Sequence, residues 1–213
     1  MKDVIRPVSA ESLDVSRETF DRLSSYVDLL LQWQQRLNLI SPKTVPDIWQ
    51  RHIRDSLQLR SYLTDKADGR PLVILDVGAG AGLPGMVLSI ATGHRVHLVE
   101  SDQRKSSFLR RAISETGAPA IIHNQRIEHL PHLQADILMA RAFAPLPKLL
   151  EITQKQHHPD LKFILPKGRD VDSELTQSSN WATLVWQKNP SEIAEDSTIL
   201  TGYFQQDKPG GSK

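Results

Sequence analysis

The sequence DVGAGAGLPG at residues 76–85 decides the fold of this chain. It follows the apolar segment 72–75, which the pattern predicts as a buried strand, and it leads into 86–90, predicted as the first turns of a helix. Glycines let the backbone approach a ligand where a Cβ would clash, and a helix N-terminus offers unpaired N–H groups. The order strand, glycine-rich turn and helix therefore predicts a site for a nucleotide-like ligand.

Two ligand classes fit the glycines. Residues 80–85 match the dinucleotide pattern GxGxxG, and 78–82 match the GxGxG of S-adenosylmethionine methyltransferases. Asp76 favours the second class, because a carboxylate suits a cationic sulfonium and would repel a pyrophosphate. Pro84 points the same way, since it lacks the N–H that a phosphate would use. Glu100 ends a second apolar strand, at about the separation where an acidic side chain accepts hydrogen bonds from a ribose.

Length and composition set the broad class. The 213 residues suit one main α/β domain with some decoration, and a net charge of +1 excludes a polybasic RNA-coating protein. The chain has no cysteine, which fits a reducing cytoplasm and excludes thiolate metal sites and cysteine nucleophiles. The eight histidines show no metal-ligand spacing, and no apolar run approaches membrane-spanning length. We therefore expect a cytoplasmic protein without a metal or a membrane contact.

Hydrophobic periodicity predicts an α/β organisation behind an N-terminal helical part. Strands that alternate with helices indicate a mostly parallel sheet with helices on both faces, and two final strands without a long helix between them indicate an antiparallel edge hairpin. The predicted helices are 16–40, 46–63, 85–92, 102–116 and 146–156, and the predicted strands are 72–77, 95–99, 120–123, 135–140, 161–165, 181–187 and 198–205. His157 and His158 are predicted to lie exposed in a loop. We expect a helical cap and linker at 1–70, a core at 71–206 and a disordered tail at 207–213.

Several blocks of the sequence resemble one family. They are RLNLI at 36–40 after Trp33, RHIRDSL at 51–57, the glycine block with its LPG ending, VES at 99–101, ARAFA at 140–144 and KG at 167–168. In this order they resemble the ribosomal RNA small subunit methyltransferase G family, also called glucose-inhibited division protein B. The resemblance extends from about Trp33 to Gly168.

The resemblance implies a class I S-adenosylmethionine-dependent methyltransferase, with a seven-stranded Rossmann-like sheet and an N-terminal helical cap. It also implies methyl transfer to N7 of guanine 527 in 16S rRNA, with that rRNA or the small ribosomal subunit as partner. The donor-site positions that it implies are Gly78, Leu83, Ile127, Glu128 and Arg141. We expect the protein to be a monomer.

The residues themselves add further candidates at the donor site. Asp76 is assigned to the methionine end of the donor and Glu100 to its ribose, with Gly80 and Gly82 completing the glycine turn. Two other interpretations stay open. Asp76 could instead be a residue at the end of its strand that bonds the glycine loop and does not contact the donor. Glu100 could likewise be a charge at a helix N-terminus.

Arg141 and Phe143 are the candidates for catalysis, which we expect to act through positioning. Arg141 follows a strand at the sheet edge where ligands bind, and Phe143 could stack on a splayed-out guanine. A surface salt bridge and an ordinary core phenylalanine are the competing interpretations. Guanine N7 has an in-plane lone pair, so no general base is expected, and the chain has no Asn-Pro-Pro-Tyr or Asp-Pro-Pro-Tyr segment.

Four basic residues lie in blocks shared with the family and are predicted to contact rRNA phosphates: Arg51, Arg54, Lys167 and Arg169.

Three other functions remain open from the sequence. They are a methyltransferase acting on another RNA or a small molecule, a nicotinamide-dependent oxidoreductase, and a non-catalytic ribosome-assembly factor. The oxidoreductase lacks support, because we find no paired His and Asp constellation that hydride transfer would require.

Overall fold

One seven-stranded sheet organises the chain, whose computed structural model describes residues 8–64, 68–181 and 183–205. The strand order is β3-β2-β1-β4-β5-β7-β6, with β1 Val73–Val77, β2 Arg95–Val99, β3 Ala120–His123, β4 Ile137–Met139, β5 Lys162–Lys167, β6 Leu184–Pro190 and β7 Thr198–Phe204. Strands β1 to β5 run parallel, while β7 runs antiparallel to both β5 and β6. The predicted Rossmann-like sheet with an antiparallel edge hairpin is confirmed.

Helices cover both faces of the sheet, because alternate residues of the buried strands point to opposite sides. Ile74 packs into the core on one face of the sheet, and its neighbour Leu75 packs into the core on the opposite face. The α-helices are α1 Arg17–Gln34, α2 Asp55–Leu57, α3 Gly85–Thr92, α4 Gln103–Thr116, α5 Leu146–Ile152 and α6 Val171–Gln177.

The first helix is shorter than the sequence predicts. It begins after Ser16, whose hydroxyl accepts the Thr19 N–H at 3.1 Å, and it ends at Gln34 instead of Ile40. The Gln34 carboxamide explains the ending, because its oxygen accepts the N–H groups of Leu39 and Ile40 at 2.9 and 3.0 Å. The Gln34 side chain thus accepts the hydrogen bonds that these two N–H groups would donate to backbone carbonyls in a longer helix.

Other helix and strand boundaries also differ from those that the sequence predicts. The predicted helix 46–63 is a helical segment at 49–62 that changes from π through α2 to 3-10 geometry. The helix after β4 ends at Ile152 instead of residue 156, and a 3-10 turn Gln154–Gln156 follows it. The sequence patterns missed α6, which has only seven residues. Strand β6 lies three residues further along the chain than predicted.

The N-terminal helical part shares its core with the sheet domain. Tyr26 of α1 lies with its ring centroid 6.3 Å from that of Phe108 on α4, and Trp33 packs edge-on to the same ring at 5.8 Å. The predicted tail at 207–213 lies outside the described residues. Within the described part of the chain, no helix is both long and apolar enough to cross a membrane.

The prediction of an exposed His157 and His158 is wrong. The His157 ring packs against Phe163 and Trp181 at centroid distances of 5.5 and 5.3 Å, and burial lowers its pKa to about 4. His158 is half-buried, and its Nε2 lies 2.8 Å from the carbonyl oxygen of Ala135. Phe204 at the end of β7 also packs against the His157 ring, at a centroid distance of 5.5 Å, and local sequence patterns do not reveal this long-range contact.

Candidate functional site

A pocket of about 570 Å³ opens at the C-terminal ends of β1, β2 and β4. Strand order reverses between β1 and β4, and open α/β sheets bind ligands at such a switch point. The pocket, called the donor pocket below, is lined by the glycine turn, the ends of β2 and β4 and the segment after β3. These include Gly78, Gly80, Leu83, Glu100, Ile127, Glu128, Arg141 and Phe143.

The glycine turn is left-handed at three positions that serve different purposes. Gly78, Gly80 and Gly82 have φ values of 71°, 55° and 83°, which disfavour any residue with a Cβ. Gly78 and Gly80 line the donor pocket, whereas Gly82 is not among the lining residues. A Cβ at Gly82 would lie 2.5 Å from Met86 Cγ and 2.9 Å from Leu109 Cδ2. Gly82 therefore allows the turn to pack closely on the core. This role differs from the contact with the donor that the sequence predicts for Gly82.

Glu100 joins the donor pocket to the glycine turn. Its side chain is almost completely buried, and it lines the pocket. One carboxylate oxygen accepts the Gly80 N–H at 2.9 Å, and the other accepts the Asp102 N–H at 2.7 Å. Each oxygen keeps lone-pair capacity for a further donor. Glu100 thus fixes the glycine turn, bonds the backbone just before α4 and presents a carboxylate to the pocket, while its contact with a ribose stays a prediction.

Asp76 lies beneath the glycine turn and does not line the donor pocket. It is fully buried, and its Oδ2 accepts the Gly85 N–H at 2.9 Å at the start of α3. Its Oδ1 has no hydrogen-bond partner among the described residues. Burial raises the pKa of Asp76 to about 7, against the smaller opposing effects of the Gly85 hydrogen bond and the Arg141 charge. The geometry matches the loop-bonding interpretation of Asp76 instead of contact with a donor.

Tyr26 is a site-supporting residue that sequence patterns missed. Its hydroxyl donates to the Ala81 carbonyl oxygen at 2.5 Å, so α1 holds the glycine turn from outside the sheet. The residue is fully buried, and this burial raises the pKa of its phenol. Its position in an apolar helical stripe indicates only a core residue, because the partner is 55 positions away.

Replacing Tyr26 with phenylalanine is expected to destabilise the protein and loosen the turn. The substitution keeps the ring packing but leaves the Ala81 carbonyl without its donor, which costs about 1–3 kcal/mol for a buried group. Urea unfolding should show this loss for Y26F. The matched variant Y203F removes a hydroxyl from a side chain that is 52% exposed on β7, and it should leave stability unchanged. Equal stabilities for Y26F and the wild type would contradict the role of the hydroxyl.

The segment after β3 forms another part of the pocket wall. Ile127 is buried and Glu128 is half-buried, and both line the donor pocket as the resemblance predicts. The Glu128 carbonyl accepts a hydrogen bond from Lys155 Nζ at 2.8 Å, which anchors this segment to the turn after α5. An apolar side chain next to backbone polar groups is the combination that holds a planar heterocycle.

Arg141 connects the end of β4 to the N-terminal helical segment. Its guanidinium bonds Asp55 Oδ2 and His52 Nδ1, both at 3.1 Å. Burial and the charge of Arg141 lower the pKa of His52 to about 4, so this imidazole is neutral near pH 7. Arg141 is 19% exposed, so the ion pair lies in a wall of the pocket and is not an ordinary surface salt bridge.

Phe143 stands beside the glycine turn and is not a core residue. Its side chain is 42% exposed, and its ring covers Gly78 so closely that a Cβ there would collide with it. The preceding Ala142 has a φ of 49°, a left-handed conformation that is unfavourable for alanine. Backbone strain of this kind often marks functional sites.

The four predicted phosphate contacts fall into two groups. Arg51 and Arg54 are exposed, and the described residues supply no ion pair to either. Lys167 is largely buried, with Nζ 2.7 Å from Glu174 Oε2, and Arg169 is exposed and paired with Asp196. Lys167 is therefore held inside the fold and differs from a free surface cation.

Over the ranges 8–64, 68–181 and 183–205, no group of three acidic or histidine side chains could hold a metal ion.

Two solved structures share the fold of this chain. A mutant of MtNAS in complex with S-adenosylmethionine has a TM-score of 0.58 at 18% identity, covering 91% of this chain and 77% of its own. A TehB-like SAM-dependent methyltransferase from Corynebacterium glutamicum has a TM-score of 0.56 at 13% identity, covering 82% of this chain and 97% of its own. At these identities the likeness establishes the fold alone.

Sequence relatives establish the family. The proteins named ribosomal RNA small subunit methyltransferase G of Paramagnetospirillum magneticum and Rhodospirillum rubrum are 45% and 42% identical to this chain over 186 and 191 residues. The first match covers 87% of this chain and 89% of the relative, and the second covers 90% and 93%. Residues 19–195 match the family described as rRNA small subunit methyltransferase G, and the chain belongs to that family.

Proposed function

We propose that this chain transfers the methyl group of S-adenosylmethionine to N7 of guanine 527 in 16S rRNA. The observation that carries the proposal is the donor pocket, where a glycine turn, a buried acidic side chain and Arg141 meet at the switch point of the sheet. Family membership supplies the reaction class. S-Adenosylmethionine, when bound, supplies an electrophilic methyl group.

The residues of the donor pocket fit this molecule. The left-handed Gly78 and Gly80 leave room where a Cβ would intrude, and Glu100 has spare acceptor capacity for ribose hydroxyls. Ile127 offers an apolar surface to the adenine, and the backbone around Glu128 lies at the same wall. Asp76 and Gly82 act on the turn from below, so we propose that they shape the site without touching the donor.

The chain has to supply position and electrostatics, because guanine N7 attacks without losing a proton. Alignment of reacting atoms can lower a barrier by roughly 7–11 kcal/mol at the upper limit. We propose that Arg141 and Phe143 provide this alignment from the end of β4. Positive charge moves to the guanine during transfer, and we expect nearby carboxylates or carbonyls to favour that charge.

Replacing Arg141 with lysine is expected to lower kcat/KM by about a hundredfold, the usual cost of losing one preorganised polar contact. Lysine keeps the charge but is a single point donor, so it cannot bond Asp55 and His52 together as the planar guanidinium does. The control R95K changes an exposed arginine at the start of β2, the opposite edge of the sheet, and should keep full activity. Steady-state methylation kinetics distinguish the variants, and full activity in R141K would contradict the role.

We propose that the rRNA approaches over the N-terminal helical part. Arg51 and Arg54 are exposed there, next to the His52 and Asp55 side chains that hold Arg141, so they are placed to contact phosphates. Arg169 is a further exposed cation at the same sheet edge. In this proposal residues 1–70 form the cap, residues 71–206 form the catalytic core, and the protein acts as a monomer in the cytoplasm without a metal.

The test is label transfer. The pure protein is incubated with labelled S-adenosylmethionine and small subunits whose rRNA lacks the modification, and the digested nucleosides are identified by mass spectrometry. Label in 7-methylguanosine supports the proposal. Label in another nucleoside, or none when donor binding is measured in the same sample, would overturn it.

A further inference from the structure

A second cavity of about 480 Å³ lies next to the donor pocket. The two share one wall, formed by Arg141, Ala142, Phe143 and Ala144 after β4. The remaining walls come from the end of β5 and from α6, with Asp55 and the start of β7 at the sides. Its volume falls within the range of small-molecule sites. We call it the outer pocket.

An anchored carboxylate faces the outer pocket from α6. Glu174 Oε2 accepts the Leu146 N–H at 2.6 Å and lies 2.7 Å from Lys167 Nζ. Lys167 also donates to the Ala144 carbonyl at 3.2 Å, which ties this pair to the shared wall. Within the described part of the chain, the structure shows no hydrogen bond to Oε1 of Glu174. A fixed carboxylate oxygen is thus available at a cavity that has Arg141 at its other boundary.

The strand order determines how the pocket-lining side chains follow one another in space along the C-terminal edge of the sheet. The donor pocket lies over β1 and β2, the shared wall follows β4, and Lys167 and Glu174 come from β5 and α6, one strand further out. A purine in the outer pocket with N7 towards the shared wall turns its N1 and N2 atoms towards β5 and α6. Guanine presents hydrogen-bond acceptors at N7 and O6 and donors at N1 and N2.

We propose that the outer pocket holds the acceptor guanine and that Glu174 reads its N1–H and N2–H groups, an inference that rests on the proposed function. Arg141 and Lys167 offer donors at the same cavity, which suits the O6 acceptor. Adenine lacks the N2 amino group and carries a lone pair at N1, which the carboxylate repels. Glu174 is therefore a specificity-determining residue, and its anchoring by Lys167 and Leu146 keeps it in place.

The proposal is tested with two substrates and three proteins. Small subunits are reconstituted with 16S rRNA that carries guanosine or inosine at the target position, since inosine keeps N7, O6 and N1–H and lacks only the N2 amino group. The proteins are the wild type, E174Q and D172N. Asp172 is a matched control, because its carboxylate lies on the outside of α6 and pairs with Lys188.

The preference for guanosine over inosine is read as a ratio of kcat/KM values, which does not depend on the folded fraction of a variant. We expect the wild type and D172N to prefer guanosine by about tenfold or more, the scale of one hydrogen bond to a charged group. E174Q should lose most of that preference while binding the donor as the wild type does. An unchanged ratio in E174Q, or equal rates for both substrates in the wild type, overturns the assignment of Glu174. Methylation of neither substrate by the wild type overturns the proposed function itself.

Discussion

Replacing Gly78 with alanine is expected to weaken donor binding by at least about a hundredfold. Two effects coincide at this position, since the left-handed φ of 71° strains any residue with a Cβ and the added carbon collides with the Phe143 ring. The ring belongs to the wall between the donor pocket and the outer pocket, so its displacement reshapes the donor pocket. Isothermal titration calorimetry with S-adenosylmethionine measures the loss.

Gly93 offers a matched control for the backbone strain that a left-handed φ imposes on alanine. Its φ is 72°, nearly that of Gly78, but an added Cβ meets nothing within 4 Å. G93A should therefore lose about 1–2 kcal/mol of stability from the left-handed conformation and bind the donor normally. The double variant G78A/F143A should recover part of the affinity because it removes the collision. Normal donor binding by G78A alone would contradict the proposed position of the donor.

The second large effect is on stability and depends on pH. The pKa of Asp76 is about 7 in the folded protein, against an ordinary value of 3.8, so the folded state binds more protons than the unfolded state between these values. Stability from this group is therefore lost as pH rises towards 7. Asp76→Asn removes the titration, and its stability relative to the wild type should rise by roughly 2–3 kcal/mol between pH 5 and pH 8.

Urea unfolding of both proteins across that pH range measures this difference. The neutral His52 and His157 have lowered pKa values, so they stabilise the fold as pH rises, but they contribute equally to both proteins and cancel in the comparison. D172N, a surface change, should follow the wild type at every pH. Parallel stability curves for D76N and the wild type would show that the Asp76 carboxyl titrates normally.

Local patterns sufficed for much of the fold and for the rim of the donor pocket. The bounds of β1, β2, β3, α3 and α4 match the prediction within one residue, because periodicity and the glycines at 93 and 117 are local signals. Gly78 and Glu100 line the pocket because each follows the carboxyl end of a parallel strand, whereas Leu83 and Ile127 are predicted only by the family resemblance.

The supporting contacts could not be predicted, because they join distant parts of the chain. Arg141 bonds residues 86 and 89 positions away, and Tyr26 reaches Ala81 across 55 positions. Which side of the turn a residue faces is also a tertiary property, so the sequence alone does not reveal that Asp76 and Gly82 face the interior. The free oxygen of Glu174 depends on α6, a helix too short for its periodicity to be recognised.

The most direct measurement locates the transferred methyl group in the rRNA. Small subunits that lack the modification are treated with the protein and S-adenosylmethionine, and the 16S rRNA is digested with a nucleotide-specific ribonuclease and mapped by mass spectrometry. We expect one fragment heavier by a single methyl group, with 7-methylguanosine at position 527. A methyl group at another nucleotide, or on another atom of that guanine, would contradict the proposed function.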